Sequence, residues 1–172
     1  MIDQQIDIVF NNPLNSDTFL MGLQSPLMAE DARPGQFVMV RVRSGLDPFL
    51  RRPFSICGTK GDVFHVLYRV VGKGTAMMAE MKTGDRMSVL GPLGRGFDIP
   101  EKDNRCVLVA GGLGAAPLCF LAQKIRPERF MVGYASSSAI IPLDHILGND
   151  QHTSIATDDG TEGHAGQVTD LL

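Results

Sequence analysis

The run FLRRPFSICG, Phe49 to Gly58, sets two guanidinium groups, a proline, an aromatic ring and a hydroxyl inside a stretch that otherwise reads as a buried strand. A guanidinium fork matches a phosphate or carboxylate with parallel hydrogen bonds, so Arg51 and Arg52 point to anion chemistry. Two glycine turns point the same way. VGKGT, Val71 to Thr75, ends one β-like run and starts a helix, and a helix N-terminus with flanking glycines and a lysine is an anion site. It is not a Walker A loop, which needs four residues between its first glycine and Gly-Lys-Ser/Thr, whereas here Lys73 is followed by Gly74. GGLGAAP, Gly111 to Pro117, follows a Val- and Leu-rich run and opens a helix, the setting in which backbone amides close on a pyrophosphate. It reads G-x-G-x-x-P instead of the dinucleotide fingerprint, and Tyr134, Ala135 and Ser136 stand where a ribose-binding acid is expected, so a plain tight turn is the other reading. Arg52 from one strand, Arg69 from its neighbour and the amides of Gly74 and Thr75 are expected to converge on one pyrophosphate.

The elements that must position these residues change character near residue 101. Before it, IDIVFNN, DTFLMGL, GQFVMVRV, PFSICG, DVFHVLYRVV and RMSVLG recur between turn signals, which predicts a small barrel or sandwich. Asp62 to Val70 alternates, with Phe64, Val66, Tyr68 and Val70 on one face and Val63, His65, Leu67 and Arg69 on the other. One helix interrupts this half, Thr75 to Met81, with the threonine as its expected cap. After Glu101 to Asn104, the runs CVLVA, LCFLAQKI, RFMVGYA, IPLDHIL and HTSIATDDG read as strand, helix, strand, short helix and strand, a βαβ-type unit with a parallel sheet.

Composition removes several classes of function. A formal net charge of -3 over 172 residues lacks the basic stripe that a nucleic-acid surface needs. Cys106 to Ala122 is long enough to span a bilayer, but its central glycines and proline suit strand, turn and helix, so no membrane span is expected. Cys57, Cys106 and Cys119 are widely spaced in apolar surroundings, which argues against disulfides or a closed metal site, and with no secretory signal the expected location is cytoplasmic. The four histidines read as surface or loop residues, and the nine methionines as core filler. No Ser-His-Asp arrangement, H-E-x-x-H motif or carboxylate pair stands out, so no catalytic side chain is assigned.

RRPFSI, LYRVVGKGT, VLGPLGRGF, VLVAGGLGAAPL and IATDDGTEGHAGQVTDLL resemble, in that order, the electron-transfer subunits of class B dihydroorotate dehydrogenases, within the ferredoxin-NADP reductase-like flavoproteins. The resemblance runs from about Asp3 to Leu172. It implies a Greek-key antiparallel β-barrel binding FAD over residues 1–100, then a partial parallel-sheet NAD-binding domain over 101–172. It also implies electrons passing from a dihydroorotate-oxidising, FMN-containing catalytic subunit to NAD in pyrimidine biosynthesis, within a heterotetramer. By position the flavin contacts fall on Arg52, Pro53, Phe54, Ser55, Leu67, Tyr68, Arg69, Gly74 and Thr75, and the nicotinamide-side turn on Gly111, Gly112 and Gly114. Phe54 or Tyr68 would cover the isoalloxazine, and the Ser55 hydroxyl or nearby backbone groups would hydrogen-bond its polar edge. The family's [2Fe–2S] cluster needs four cysteine thiolates beyond the segment resembling Ile155 to Leu172, so this chain is not expected to ligate it, and weak or lost NAD binding is expected of a partial sheet. The absence of an arginine near Ser136 and Ser138 favours NAD over NADP. A hydrogenase or ferredoxin:NADP oxidoreductase subunit, or a non-catalytic flavin-binding assembly module, are the other readings of the same motifs.

Overall fold

A computed structural model of the chain describes residues 2–99, 105–148 and 153–172. The expected junction at Glu101 to Asn104, together with His152, lies outside the described residues.

Strict alternation with β-branched and aromatic residues makes the first half extended, and closure removes the sheet edges such strands would otherwise expose. Strands β1 (Ile2–Pro13), β2 (Thr18–Gln24), β3 (Phe37–Arg41), β4 (Arg52–Lys60), β5 (Val63–Arg69) and β6 (Arg86–Leu93) close an antiparallel barrel in the order β1-β2-β5-β4-β3-β6. Of the two all-β alternatives, the barrel is the one found. In β5 the alternation holds as read: Phe64, Val66 and Tyr68 fill the barrel. The opposite face is not a plain solvent face, because Leu67 joins a second core and His65 lies edge-on to the Phe10 ring at 5.4 Å.

Two helices, not one, interrupt this half. Ser25 caps a short helix α1 (Pro26–Asp31) through its hydroxyl and Pro26 occupies its first turn, a cap-plus-proline signal that the sequence reading passed over. Helix α2 (Lys73–Glu80) starts two residues earlier than expected. Its cap is Gly72, and Thr75 sits in the third helical position, accepting from the Val71 and Gly72 amides at 2.9 and 3.2 Å and donating to the Gly72 carbonyl at 3.0 Å. The cap is therefore a glycine and not the expected threonine, whose hydroxyl instead holds the amides of the two residues that precede the helix.

The second half is a parallel sheet in the order β10-β9-β8-β7, formed by β7 (Val107–Gly111), β8 (Arg129–Tyr134), β9 (Thr153–Thr157) and the two-residue β10 (His164–Ala165). A 3-10 turn, Gly112–Gly114, leads into α3 (Ala115–Ile125), and α4 (Asp144–Leu147) follows β8. Helix α3 is apolar nearly all round because it is covered on two sides. Phe120 enters the barrel core, while Cys119, Leu121 and Ala122 pack with Leu108, Phe130 and Val132 of the parallel sheet. Leu20, Cys57 and Leu67 on the outer barrel wall belong to that second cluster, so one continuous seam joins barrel and sheet. A fully buried Phe120 contributes roughly 1.5–3 kcal/mol to the seam. Contact is so close that a Cβ on Gly58 would lie 2.7 Å from Gln123 Nε2, the atom that donates to the Ile146 carbonyl at 2.8 Å.

Candidate functional site

The two arginines of the opening motif part company at the start of β4. Arg51 turns to the barrel wall, where its Nη2 meets the Asp3 carboxylate at 2.9 and 3.0 Å and the Ser88 hydroxyl at 2.9 Å, and its Nη1 donates to the Met39 carbonyl at 3.2 Å. It ties β1, β3 and β6 together and is a structural residue. Arg52 turns the other way, its Nη1 donating to the Leu50 carbonyl and its side chain lying over Gly74. A Cβ on Gly74 would be 2.2 Å from Arg52 Nε and 2.7 Å from Cζ, so only glycine admits the guanidinium at this helix start. Of the three groups expected to converge, Arg69 is turned to Asp17, while Arg52 lies against Gly74 at a helix N-terminus.

Immediately beside this pair lies a cleft of about 250 Å³ lined by Pro53, Phe54, Ser55, Leu67, Tyr68, Arg69 and Thr75. Seven of the twelve residues assigned from sequence thus form one wall, because the β4–β5 pairing sets Pro53 to Ser55 beside Leu67 to Arg69 and α2 closes the end. Val71, together with Leu113 and Ala116 from the glycine turn and the start of α3, completes it. Tyr68 is 1% exposed, stacked on Phe19 at 5.5 Å and edge-on to Phe54 at 6.0 Å. Its hydroxyl donates to Asn11 Oδ1 at 2.9 Å, while Asn11 Nδ2 donates to the Met78 and Met81 carbonyls at 2.8 and 3.0 Å. Burial, opposed by the Asn11 hydrogen bond, raises the Tyr68 phenol from 10.0 to about 12. Tyr68 supports the cleft floor, and Phe54, only partly buried, presents the open ring.

Arg69 is drawn sideways, with Nε 3.4 Å from Asp17 Oδ2 and 3.5 Å from Thr18 Oγ1. Its side chain borders both this cleft and a second one of about 390 Å³ at the carboxyl ends of β7, β8 and β9. The second cleft is lined by Gly111, Gly112, Gly133, Tyr134 and Asp158, the position at which open α/β sheets bind ligands. Gly112 takes φ +48°, a left-handed conformation that turns the strand sharply into the helix. Gly114 lines neither cleft. Asp159 closes a turn, accepting from the Thr161 amide and hydroxyl at 3.0 and 2.6 Å, which holds its carboxyl below the usual range. Of the Asp158–Asp159 pair, Asp158 is the one in the cleft.

Lys73, read as the lysine of an anion site, is ion-paired with Asp47. Asn11, Asp17, Leu113, Ala116 and the Gln167–Thr169 segment reach the site or its supports without having been singled out. Only tertiary pairing brings them there, although the N-x-x-x-x-x-D spacing of Asn11 and Asp17 flanks a visible turn. Among the described residues no three His, Cys, Asp or Glu side chains converge as metal ligands, and no helix is long and apolar enough to cross a membrane.

No family model matches the sequence. The electron transfer subunit of dihydroorotate dehydrogenase B (NAD(+)) from Desulforamulus reducens is 41% identical over 163 residues, covering 91% of this chain and 62% of the relative. That from Geobacillus thermodenitrificans is 37% identical over 177 residues, covering 98% and 68%. The chain thus spans a little under two thirds of the length of the first of these relatives. Among solved structures, that of an NADH-dependent reduced ferredoxin-NADP oxidoreductase, studied for flavin-based electron bifurcation, superposes with a TM-score of 0.82 at 30% identity over 96% of this chain and 61% of the other. Phthalate dioxygenase reductase, at 18% identity with a TM-score of 0.72 over 92% of this chain and 52% of its own, shares the fold.

Proposed function

The chain belongs to the family of dihydroorotate dehydrogenase B electron transfer subunits, and on that premise we propose that it is the FAD-carrying part of an oxidoreductase that passes electrons from a dihydroorotate-oxidising partner to NAD. The observation that carries the reading is the Arg52 guanidinium lying on Gly74 at the start of α2, beside a cleft walled by Pro53 to Ser55 and Leu67 to Arg69. Residues 1–100 are assigned to the flavin and 101–172 to the pyridine nucleotide.

The residues present fit FAD. Arg52 and the amides of Gly74 and Thr75 neutralise its pyrophosphate. Phe54 covers the flat ring and excludes water from it, the Ser55 hydroxyl hydrogen-bonds the polar edge, and Leu67 and Tyr68 fix the wall behind. Gly111, Gly112 and Gly114 form the turn over which a nicotinamide dinucleotide lies. When bound, the two cofactors supply hydride and single-electron transfer, and the protein's task is to hold the reacting atoms about 3–3.5 Å apart. The shared border at Arg69 is the feature of this chain suited to that task, since it keeps the two clefts contiguous. NAD is favoured over NADP because the Ser136 and Ser138 hydroxyls bond one another at 2.9 Å in a segment without arginine. The partner is an FMN-containing catalytic subunit, assembled as a heterotetramer, and the setting is cytoplasmic. A [2Fe–2S] centre belongs to the family reading, and no residue described here is assigned to it.

A second reading, a subunit of a ferredoxin:NADP-type oxidoreductase, is supported by the 30% identity to the NADH-dependent reduced ferredoxin-NADP oxidoreductase. It uses the same flavin residues and differs only in the electron partner. The deciding experiment is the visible spectrum of the purified chain, with the heat-released cofactor identified by mass. Flavin bands and the mass of FAD are expected, while a colourless chain that takes up no added FAD defeats both readings.

A further inference from the structure

On the barrel wall built by β1, β3 and β6 there is another cavity, of about 370 Å³, whose lining includes Gln5, Arg41, Arg43, Ser44, Arg86 and Ser88 and no carboxylate. Three arginines therefore line one cavity, bordered outside its lining by Asp7 on Arg86, Asp3 on Ser88 and Asp47, whose carboxyl Lys73 and, after it, Arg43 hold below its ordinary range. Arg86 is paired with Asp7 at 2.9 Å, but neither Arg41 nor Arg43 is ion-paired with a carboxylate among the described residues. Backbone carbonyls hold them instead: Arg41 Nη2 donates to Gly45 at 3.3 Å and Arg43 Nε to Asp47 at 3.0 Å. The Arg41 guanidinium also lies 5.8 Å above the Phe49 ring. Asp47, the carboxylate nearest in sequence, is taken by Lys73. Most tellingly, Arg41 Nε is buried and makes no hydrogen bond, the one such side-chain atom among the described residues. A buried charged donor without an acceptor is costly, which marks Arg41 as the least satisfied of the three arginines.

We propose that this cavity is a second anion site, separate from Arg52 and Gly74, and that it takes a dianionic phosphate group, free or carried by a small organic molecule. Phosphate suits it because a guanidinium fork matches phosphate oxygens and three arginines line the cavity, and the volume exceeds that of phosphate alone, leaving room for an organic moiety. Ser44 and Gln5 add neutral donors at the rim.

The test is calorimetric titration of the full chain, with whatever flavin it retains, against inorganic phosphate and separately glycerol 3-phosphate, in chloride buffer at low ionic strength. Saturable one-to-one binding is expected, weakened roughly tenfold or more in Arg41→Gln and in Arg43→Gln, with flavin absorbance unchanged. Ser44→Glu, at an exposed position that leaves the barrel intact, puts a carboxylate at the rim and should abolish binding, whereas Arg52→Ala should retain it. Tighter binding of glycerol 3-phosphate assigns an organic phosphate, and equal binding assigns phosphate itself. No saturable binding, unchanged affinity in all three cavity variants, or loss of binding in Arg52→Ala overturns the proposal. Loss of flavin together with phosphate in the arginine variants also overturns it, because the cavity then belongs to the flavin site.

Discussion

Replacing Gly74 by alanine separates the flavin-binding role of the Arg52–Gly74 contact from any role in stability. An added Cβ would sit 2.2 Å from Arg52 Nε, 2.7 Å from Cζ and 3.0 Å from Cδ, each well inside contact distance. The atoms it meets are the far end of a flexible side chain, so the guanidinium swings away and the helix stays in place. Alanine is the better helix former, and the unliganded protein should be as stable as the parent or gain up to about 1 kcal/mol. Flavin affinity should move the opposite way. Loss of one charged hydrogen-bond partner costs roughly 1.5–3 kcal/mol, or about 10- to 150-fold in dissociation constant. Arg52→Ala should cost the same, and the double variant should add little to either single one, because both remove one interaction. The assay is titration of the flavin-free chain with FAD, followed by quenching of flavin fluorescence, with urea unfolding alongside. A Gly74→Ala protein that binds FAD within about twofold of the parent, under an experimental error of roughly 0.4 kcal/mol, refutes the claim that Arg52 is held over the helix start to grip the pyrophosphate.

Arg51→Met should give the reverse of Arg52→Ala: a barrel less stable by about 1–3 kcal/mol in urea, with FAD affinity unchanged, since its partners are Asp3, Ser88 and the Met39 carbonyl. Tyr68→Phe removes the hydroxyl that holds Asn11 against the end of α2, and should lower stability by about 0.5–1.5 kcal/mol in chemical denaturation. The pH dependence has a defined alkaline window. Burial raises both Tyr68 and Tyr134 from 10.0 to about 12, so above pH 10 the unfolded chain loses phenolic protons that the folded chain keeps. Stability should therefore be full below pH 10 and fall between pH 10 and 12, with phenolate absorbance appearing only on unfolding. A folded protein whose tyrosines ionise near pH 10 contradicts this burial.

What the sequence determined by itself was local and periodic. Alternation in Asp62 to Val70 defined β5 and its inner face, six runs between turn signals became six barrel strands, and Val and Leu before a glycine turn became β7 leading into α3. Such features need only neighbours in the chain, because side-chain direction follows from backbone period. The convergence of Arg52 with Gly74 was also legible, since an arginine on a strand and a glycine at a helix start declare compatible chemistry. Tertiary structure decided which of two adjacent arginines faces the site. In a strand successive side chains point to opposite faces, and only closure of the barrel fixed that Arg51 meets Asp3 while Arg52 meets α2. The seam of α3 against β4, the capture of Arg69 by Asp17 and the unpaired Arg41 rest on residues far apart in sequence. Their partners are chosen by packing and by competition for charge, which no local pattern encodes.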